Sequence, residues 1–200
     1  MDINVNQILS NWLKELEENQ LPPYEKLPDI DLYMEQMLTY LERQSHVLEK
    51  NSEDIQITSS MINNYVKGHI IKSPKSKKYT KEQISALIEI IYLKQVLALP
   101  EIKQILSIEY KDNASDAYNK YLDLKKEATK KALNDTKSKL SQCETNSKED
   151  LTNLALDLAA KANAYSIISK RILYLLNILN YVNDENEKKS NENSSNFNEY

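Results

Sequence analysis

Glycine is all but absent from this chain: Gly68 is the only one in 200 residues, and five prolines complete the supply of ordinary turn formers. Many-stranded sheets need tight turns that draw on such residues, so helices joined by short loops are favoured. Cysteine is as scarce. Cys143 stands alone, which excludes an internal disulfide and any site built from several thiolates. His46 and His69 are the only histidines, too few for most catalytic triads. There is no nucleophile elbow, no phosphate-binding glycine loop and no HExxH. The expectation is a protein that is not an enzyme, with no catalytic residue, no metal and no cofactor. No apolar run reaches the roughly 18 residues of a membrane span. The opening "MDINVNQILSNW" carries an acid and lacks a basic region ahead of an apolar core. A cytoplasmic location without membrane contact is therefore expected.

One further absence is local. The chain holds 30 acidic and 26 basic residues, for a net charge of −4, yet no Asp or Glu occurs from Ile55 to Lys81. Lys67, Lys72, Lys75, Lys77, Lys78 and Lys81 fall inside that stretch, and so does the single glycine. By charge alone a lysine-rich turn reads as a solvated loop. Its surroundings argue for more.

Along the chain, Val5, Ile8, Leu9, Trp12, Leu13 and Leu16 repeat at helical spacing and predict an amphipathic first helix, which "QLPPYEKLPD" breaks. Asp29 or Asp31 can cap a second helix with a Tyr33, Met34, Met37, Leu38, Leu41 stripe, ending near Leu48 before the loop "EKNSED". Thr58 is a good N-cap for a short helix over 59–67. Met61, Ile62, Tyr65 and Val66 fall on one side of it, and Ser59, Ser60, Asn63, Asn64 and Lys67 on the other. Gly68 follows where a helix end wants a left-handed residue. "HIIKSPKSKKYT" then reads as a small two-stranded hairpin.

Thr80 with Gln83 forms a capping box for a fourth helix, whose stripe is Ile84, Leu87, Ile88, Ile91, Tyr92 and Val96. "ALPEIKQIL" predicts a short fifth helix with Pro100 in its first turn. A longer, more polar helix covers 113–142, with Ala114, Ala117, Tyr118, Tyr121, Leu122, Ala128, Ala132 and Leu140 on its apolar face. From about Lys148 to Val182, Leu151, Leu158, Tyr165, Ile172 and Leu179 recur every seventh residue. Leu154, Ile168, Leu175 and Val182 lie three further on, with Lys161 out of pattern. This is a heptad seam, either intramolecular or, preferably, the interface of a homodimer. Residues 184–200 are polar, of low complexity and expected to be disordered.

A cap, a short helix with a small polar face, a sharp stop and a lysine-rich hairpin are the parts of a winged helix-turn-helix. Asn63 and Asn64 can pair with adenine edges in a major groove. Ser59 and Ser60 at the helix start, with Lys67, Lys72, Lys75, Lys77, Lys78 and Tyr79, would hold the phosphate backbone of double-stranded DNA. His69 reads as a phosphate or water contact, Trp12 as core and Cys143 as a free surface or helix-end thiol. Tyr118, Tyr121, Tyr165, Tyr174 and Tyr181 read as packing, with a small-molecule pocket as the other use.

The stretch "ITSSMINNYVKGHIIKSPKSKKYTKEQISALIEIIYLKQVLALPEIKQIL", residues 57–106, resembles the DNA-binding domain of MerR-type transcription regulators. Tyr65, Lys67, Lys78, Tyr79, Leu87, Leu93, Glu101, Ile102, Ile105 and Leu106 hold the matching places. With "LPPYEKLPDIDLYMEQMLTYLE", the chain also resembles an uncharacterised bacterial domain-of-unknown-function family related to that group. The resemblance implies a mainly α fold: a MerR-like winged helix-turn-helix core with a small β-hairpin wing, followed by long C-terminal helices. It implies an N-terminal helix and linker over 1–27, the DNA-binding domain over 28–109 and a helical dimerisation or effector region over 110–183. The function implied is a sequence-specific, dimeric transcription regulator, with a small-molecule effector as a further partner. MerR proteins usually carry arginine where Asn63 stands, and the alternative is a helical protein-interaction adaptor that keeps the winged core without binding DNA.

Overall fold

The computed structural model describes residues 3–49 and 57–195, and the side chains of 47–49 and 182–195 are not described. The loop expected over "EKNSED" lies almost wholly outside these residues. Seven helices are described: α1 (Val5–Glu18), α2 (Met34–Glu49), α3 (Ser59–Lys67), α4 (Lys81–Leu93), α5 (Leu99–Glu109), α6 (Ala114–Leu140) and α7 (Lys148–Ser195). Two short strands, β1 (Leu32–Tyr33) and β2 (Lys78–Tyr79), form the only sheet among the described residues. The chain divides into two compact units, 1–158 and 159–200.

Local chemistry sets most helix ends. The Thr58 hydroxyl accepts from Met61 N–H at 3.3 Å, and Thr80 with Gln83 forms the reciprocal capping box, Gln83 Oε1 taking the Thr80 N–H at 2.9 Å. The Glu101 carboxylate takes the Ala98 N–H at 2.7 Å, and a proline lies in the first turn of α5, where it removes no helical bond. Neither Asp29 nor Asp31 caps α2. β1 runs directly into that helix, and Gln36 Oε1 accepts the Tyr33 N–H at 3.0 Å. The chain past 182 has no Pro or Gly to stop it, and α7 continues to Ser195 through residues expected to be disordered.

The hairpin expected over 70–79 is not closed on itself. β2 pairs antiparallel with β1, Leu32 opposite Tyr79 and Tyr33 opposite Lys78. Within the loop only a Lys75–Lys78 bridge forms, across Ser76 and Lys77 at positive φ. Two apolar residues, Leu32 and Tyr79, thereby reach the core, which a solvated lysine hairpin could not provide.

The end of α3 also departs from expectation. Gly68 is right-handed (φ −75°), and the left-handed residue is His69 at φ 54°. His69 N–H bonds Val66 O at 3.0 Å and Ile70 N–H bonds Tyr65 O at 2.9 Å, the paired bonds of a Schellman stop. A Cβ on Gly68 would lie 3.2 Å from Asn64 O and against the Ile70 side chain, so closeness to the helix end, not handedness, explains that glycine. A left-handed L-residue costs on the order of 1 kcal/mol. His69→Gly relieves that strain but frees the unfolded chain, so a net gain of about 0.5 kcal/mol is expected in urea titrations.

Two cores follow. In the first, α4 lies against α2, α5 and α6 and is buried continuously from Gln83 to Ile91. Its partners include Met37 and Leu41 of α2, Ile62 and Tyr65 of α3, Ile102 of α5 and Tyr118 of α6. Val96 lies beyond the end of α4 and is exposed. The second core joins Leu13 of α1, Leu133 and Leu140 of α6 and Leu154 of α7. Val5, Ile8, Ala128 and Ala132 are exposed and do not join it, narrowing the stripes read for α1 and α6.

The heptad seam splits. Leu151, Leu154 and Leu158 serve the second core. Tyr165, Ile168, Ile172, Leu175 and Leu179, in the unit 159–200, remain exposed, Ile168 and Leu179 at 57% each.

Candidate nucleic-acid interface

α3 is amphipathic as its residues dictate. Ile62 and Tyr65 are buried, Met61 and Val66 are half-buried, and Ser59, Ser60, Asn63, Asn64 and Lys67 are all exposed. The helix start carries no acid, so its first-turn N–H groups and the Ser59 and Ser60 hydroxyls offer an uncancelled positive end. The Schellman stop returns the chain so that Ile70 and Ile71 pack with the first core, which fixes where the lysine loop begins.

Beyond that stop the expected contact residues divide. Lys72, Lys75 and Lys77 are exposed, and Lys78 is half-buried with its Nζ 4.9 Å from the centroid of the Tyr33 ring. Lys72 Nζ also meets Glu82 Oε1 at 3.0 Å, an exposed pair of small energetic weight. Tyr79 is a correction. Only 2% exposed, it packs in the first core opposite Leu32, and its burial pushes the phenol above its ordinary range. It holds the loop in place rather than a phosphate.

Two cations escape a reading of local sequence. Lys103 of α5 donates to Gly68 O at 2.9 Å, 35 residues away in the chain, so it caps α3 while adding charge beside it. Lys103, Lys111 and Lys72 line a cavity of about 420 Å³ between the loop after α3, α4 and α5, with Glu82 on the same wall. No local motif marks them, because only the packing of α5 beside the end of α3 brings them there. Gln83 Nε2 donates to Lys72 O at 2.7 Å and ties the loop to α4.

The assembled surface can hydrogen-bond through short side chains and attract anions through several lysines. Cys143 lies away from it, just past α6, half-buried with its Sγ 3.4 Å from Lys139 O.

The family model of a domain of unknown function, DUF1836, matches residues 22–127, which is 106 of the 200 residues. The match takes in the first core from Leu27 to Tyr118, all of it but Leu21, together with α3 and the lysine loop. No curated protein and no solved structure matches the chain. The chain belongs to the DUF1836 family.

Proposed function

We propose that this DUF1836 protein is a dimeric, sequence-specific DNA-binding transcription regulator of the MerR-like winged helix-turn-helix type. The observation that carries the proposal is the acid-free exposed face of α3, continuous in sequence with the exposed Lys72, Lys75 and Lys77 and anchored at both ends to the first core. Asn63 and Asn64 read base edges. Ser59, Ser60, Lys67 and the loop lysines hold phosphates, with Lys103 and Lys111 as added cations.

Binding-site selection from a random duplex pool tests base reading. The wild type is expected to enrich one short sequence. Asn63→Ala is expected to keep general affinity and lose roughly 10- to 100-fold at the base pair that Asn63 reads, which is the scale of one bidentate contact. Equal recovery of all sequences by both proteins would contradict the proposal.

The dimer is formed through α7. Its exposed Tyr165, Ile168, Ile172, Leu175 and Leu179 continue a heptad seam, and apolar heptads of that length associate when a matching helix is available. Two copies would present two α3 helices to a palindromic site. Sedimentation equilibrium is expected to give a dimer for the wild type and a monomer for Ile172→Glu, with DNA affinity falling alongside. A monomeric wild type at micromolar concentration would remove the dimer from the account.

A further inference from the structure

A second cavity, of about 480 Å³, opens away from the lysine loop, between α1, α6 and the first turns of α7, all within the unit 1–158. That volume falls in the range of small-molecule sites, on the order of 300–1,000 Å³. Its walls are mainly apolar: Leu9 and Leu16 of α1 and Leu151 and Leu158 of α7 line it and are only half-buried, although each packs on the second core. Half-buried leucines around an open cavity leave apolar area for an occupant to cover.

Thr129, Thr136 and Tyr92 also line the cavity, and two further polar features break its apolar wall. Lys125 of α6 lines the cavity half-buried, its Nζ 4.6 Å from the centroid of the Tyr92 ring. Among the described residues no carboxylate pairs with it, and desolvation holds its ammonium below the ordinary lysine range. Trp12 also lines the cavity, and its Nε1–H is buried without a hydrogen-bond partner among the described residues. A buried donor left unpaired is uncommon in native proteins. The site therefore offers one cation and one unmatched donor on an apolar surface.

We propose that this cavity binds a small amphipathic carboxylate, with its apolar body against the leucines of α1 and α7 and its single negative charge at Lys125. A neutral apolar ligand would leave the Lys125 charge desolvated and unpaired, and a cation would be repelled by it. A carboxylate satisfies both the charge and the shape. The site is also connected to the rest of the fold. Tyr92 packs on the first core, and α6 contributes Tyr118 to the first core and Leu133 to the cavity wall, so an occupant touches elements that build the domain carrying α3. The binding inference does not rest on DNA recognition and is tested with no DNA present.

Trp12 is the only tryptophan in the chain, so its fluorescence reports occupancy directly. The full chain is titrated with decanoate, with decanol and with decyltrimethylammonium. Decanoate is expected to change Trp12 emission saturably at micromolar concentration, with at least 10-fold weaker binding of the alcohol and weaker still of the cation. Lys125→Met keeps the length of the side chain and removes the charge. It is expected to retain the wild-type melting temperature, to lose at least 10-fold in decanoate affinity and to bind acid and alcohol alike. Ala155→Trp, which fills the cavity from its rim, is read by isothermal titration calorimetry and should abolish binding of all three. Equal affinity for decanoate and decanol in the wild type would overturn the proposal, as would unchanged decanoate binding in Lys125→Met. A Trp12 signal that shifts with protein concentration alone would assign the groove to a second copy of the chain and overturn it too.

Discussion

Replacing Glu89 with glutamine should raise the stability of this protein at pH 8 by roughly 3 kcal/mol and flatten its dependence on pH between 5 and 7. Glu89 sits on α4, only 3% exposed, in the middle of the first core. Its one described bond is from Tyr110 Oη, which donates to Oε1 at 2.6 Å and lies 3.3 Å from Ser85 Oγ. Burial pushes the carboxyl from 4.5 up to about 7, the Tyr110 bond opposes that shift, and the nearby charge of Glu109 adds to it. The same burial, with Glu89's charge, drives the phenols of Tyr118 and Tyr121 above their normal range, and Tyr92 is raised to about 12 by burial.

A carboxyl that ionises at about 7 when folded and near 4.5 when unfolded holds its proton more tightly in the folded state. Below pH 4.5 both states are protonated and no penalty exists. From 4.5 to 7 the unfolded state has lost the proton that the folded state keeps, so stability falls as pH rises. Above 7 the full cost is present: the gap between about 7 and 4.5, at about 1.4 kcal/mol per pH unit, gives roughly 3 kcal/mol. Glutamine keeps an oxygen to accept from Tyr110 and has no proton to lose. For a chain of this size the gain corresponds to roughly 6–12 °C in melting temperature at pH 8. Parallel melting curves from pH 5 to pH 8 that fail to converge toward acid would show that Glu89 is not the group responsible.

Lys75→Glu with Lys77→Glu should weaken DNA binding by about 100-fold or more at low salt while leaving the melting temperature within about 2 °C of the wild type. Both side chains are exposed, and neither packs in a core. In a dimer the double variant turns four attractive phosphate positions into four repulsive ones. Lys78 is a poorer choice for this test, because it is half-buried over Tyr33 and its loss would disturb the β1–β2 pairing as well. Retained binding in the double variant would shift the interface off the loop. A protein partner captured equally by wild type and variant, with no DNA binding by either, would favour the adaptor that Asn63 suggested.

What was legible in the sequence were features decided within a few residues. Thr58 and Thr80 cap their helices because a threonine hydroxyl needs only the N–H three positions on, and the sorting of α3 into buried and exposed faces needs only the helical repeat. What was not legible depended on chain brought in from afar. Tyr79 reads locally as part of a wing, but Leu32 of β1, 47 positions earlier by residue number, draws it into the core. The heptad pattern of α7 was correctly periodic, but only packing with α1 and α6 assigns Leu151, Leu154 and Leu158 to an internal core and leaves the later positions exposed. Glu89 was hidden because α4 is buried on every side, so its polar positions carry no warning of burial. Gly68 misled for another reason. Glycine is the common left-handed residue, yet the Schellman bonds count one position further and make His69 bend instead.

The central claim is that α3 and the lysine loop bind duplex DNA, and its most direct test is fluorescence anisotropy against the protein's own upstream sequence and a scrambled duplex over a series of salt concentrations. The account predicts tighter binding to the native duplex and a log affinity that falls linearly with log salt. The slope should approach −0.9 for each phosphate neutralised, and Lys75→Glu with Lys77→Glu should make it shallower. No binding to either duplex at low salt, with the protein folded and dimeric, would contradict it.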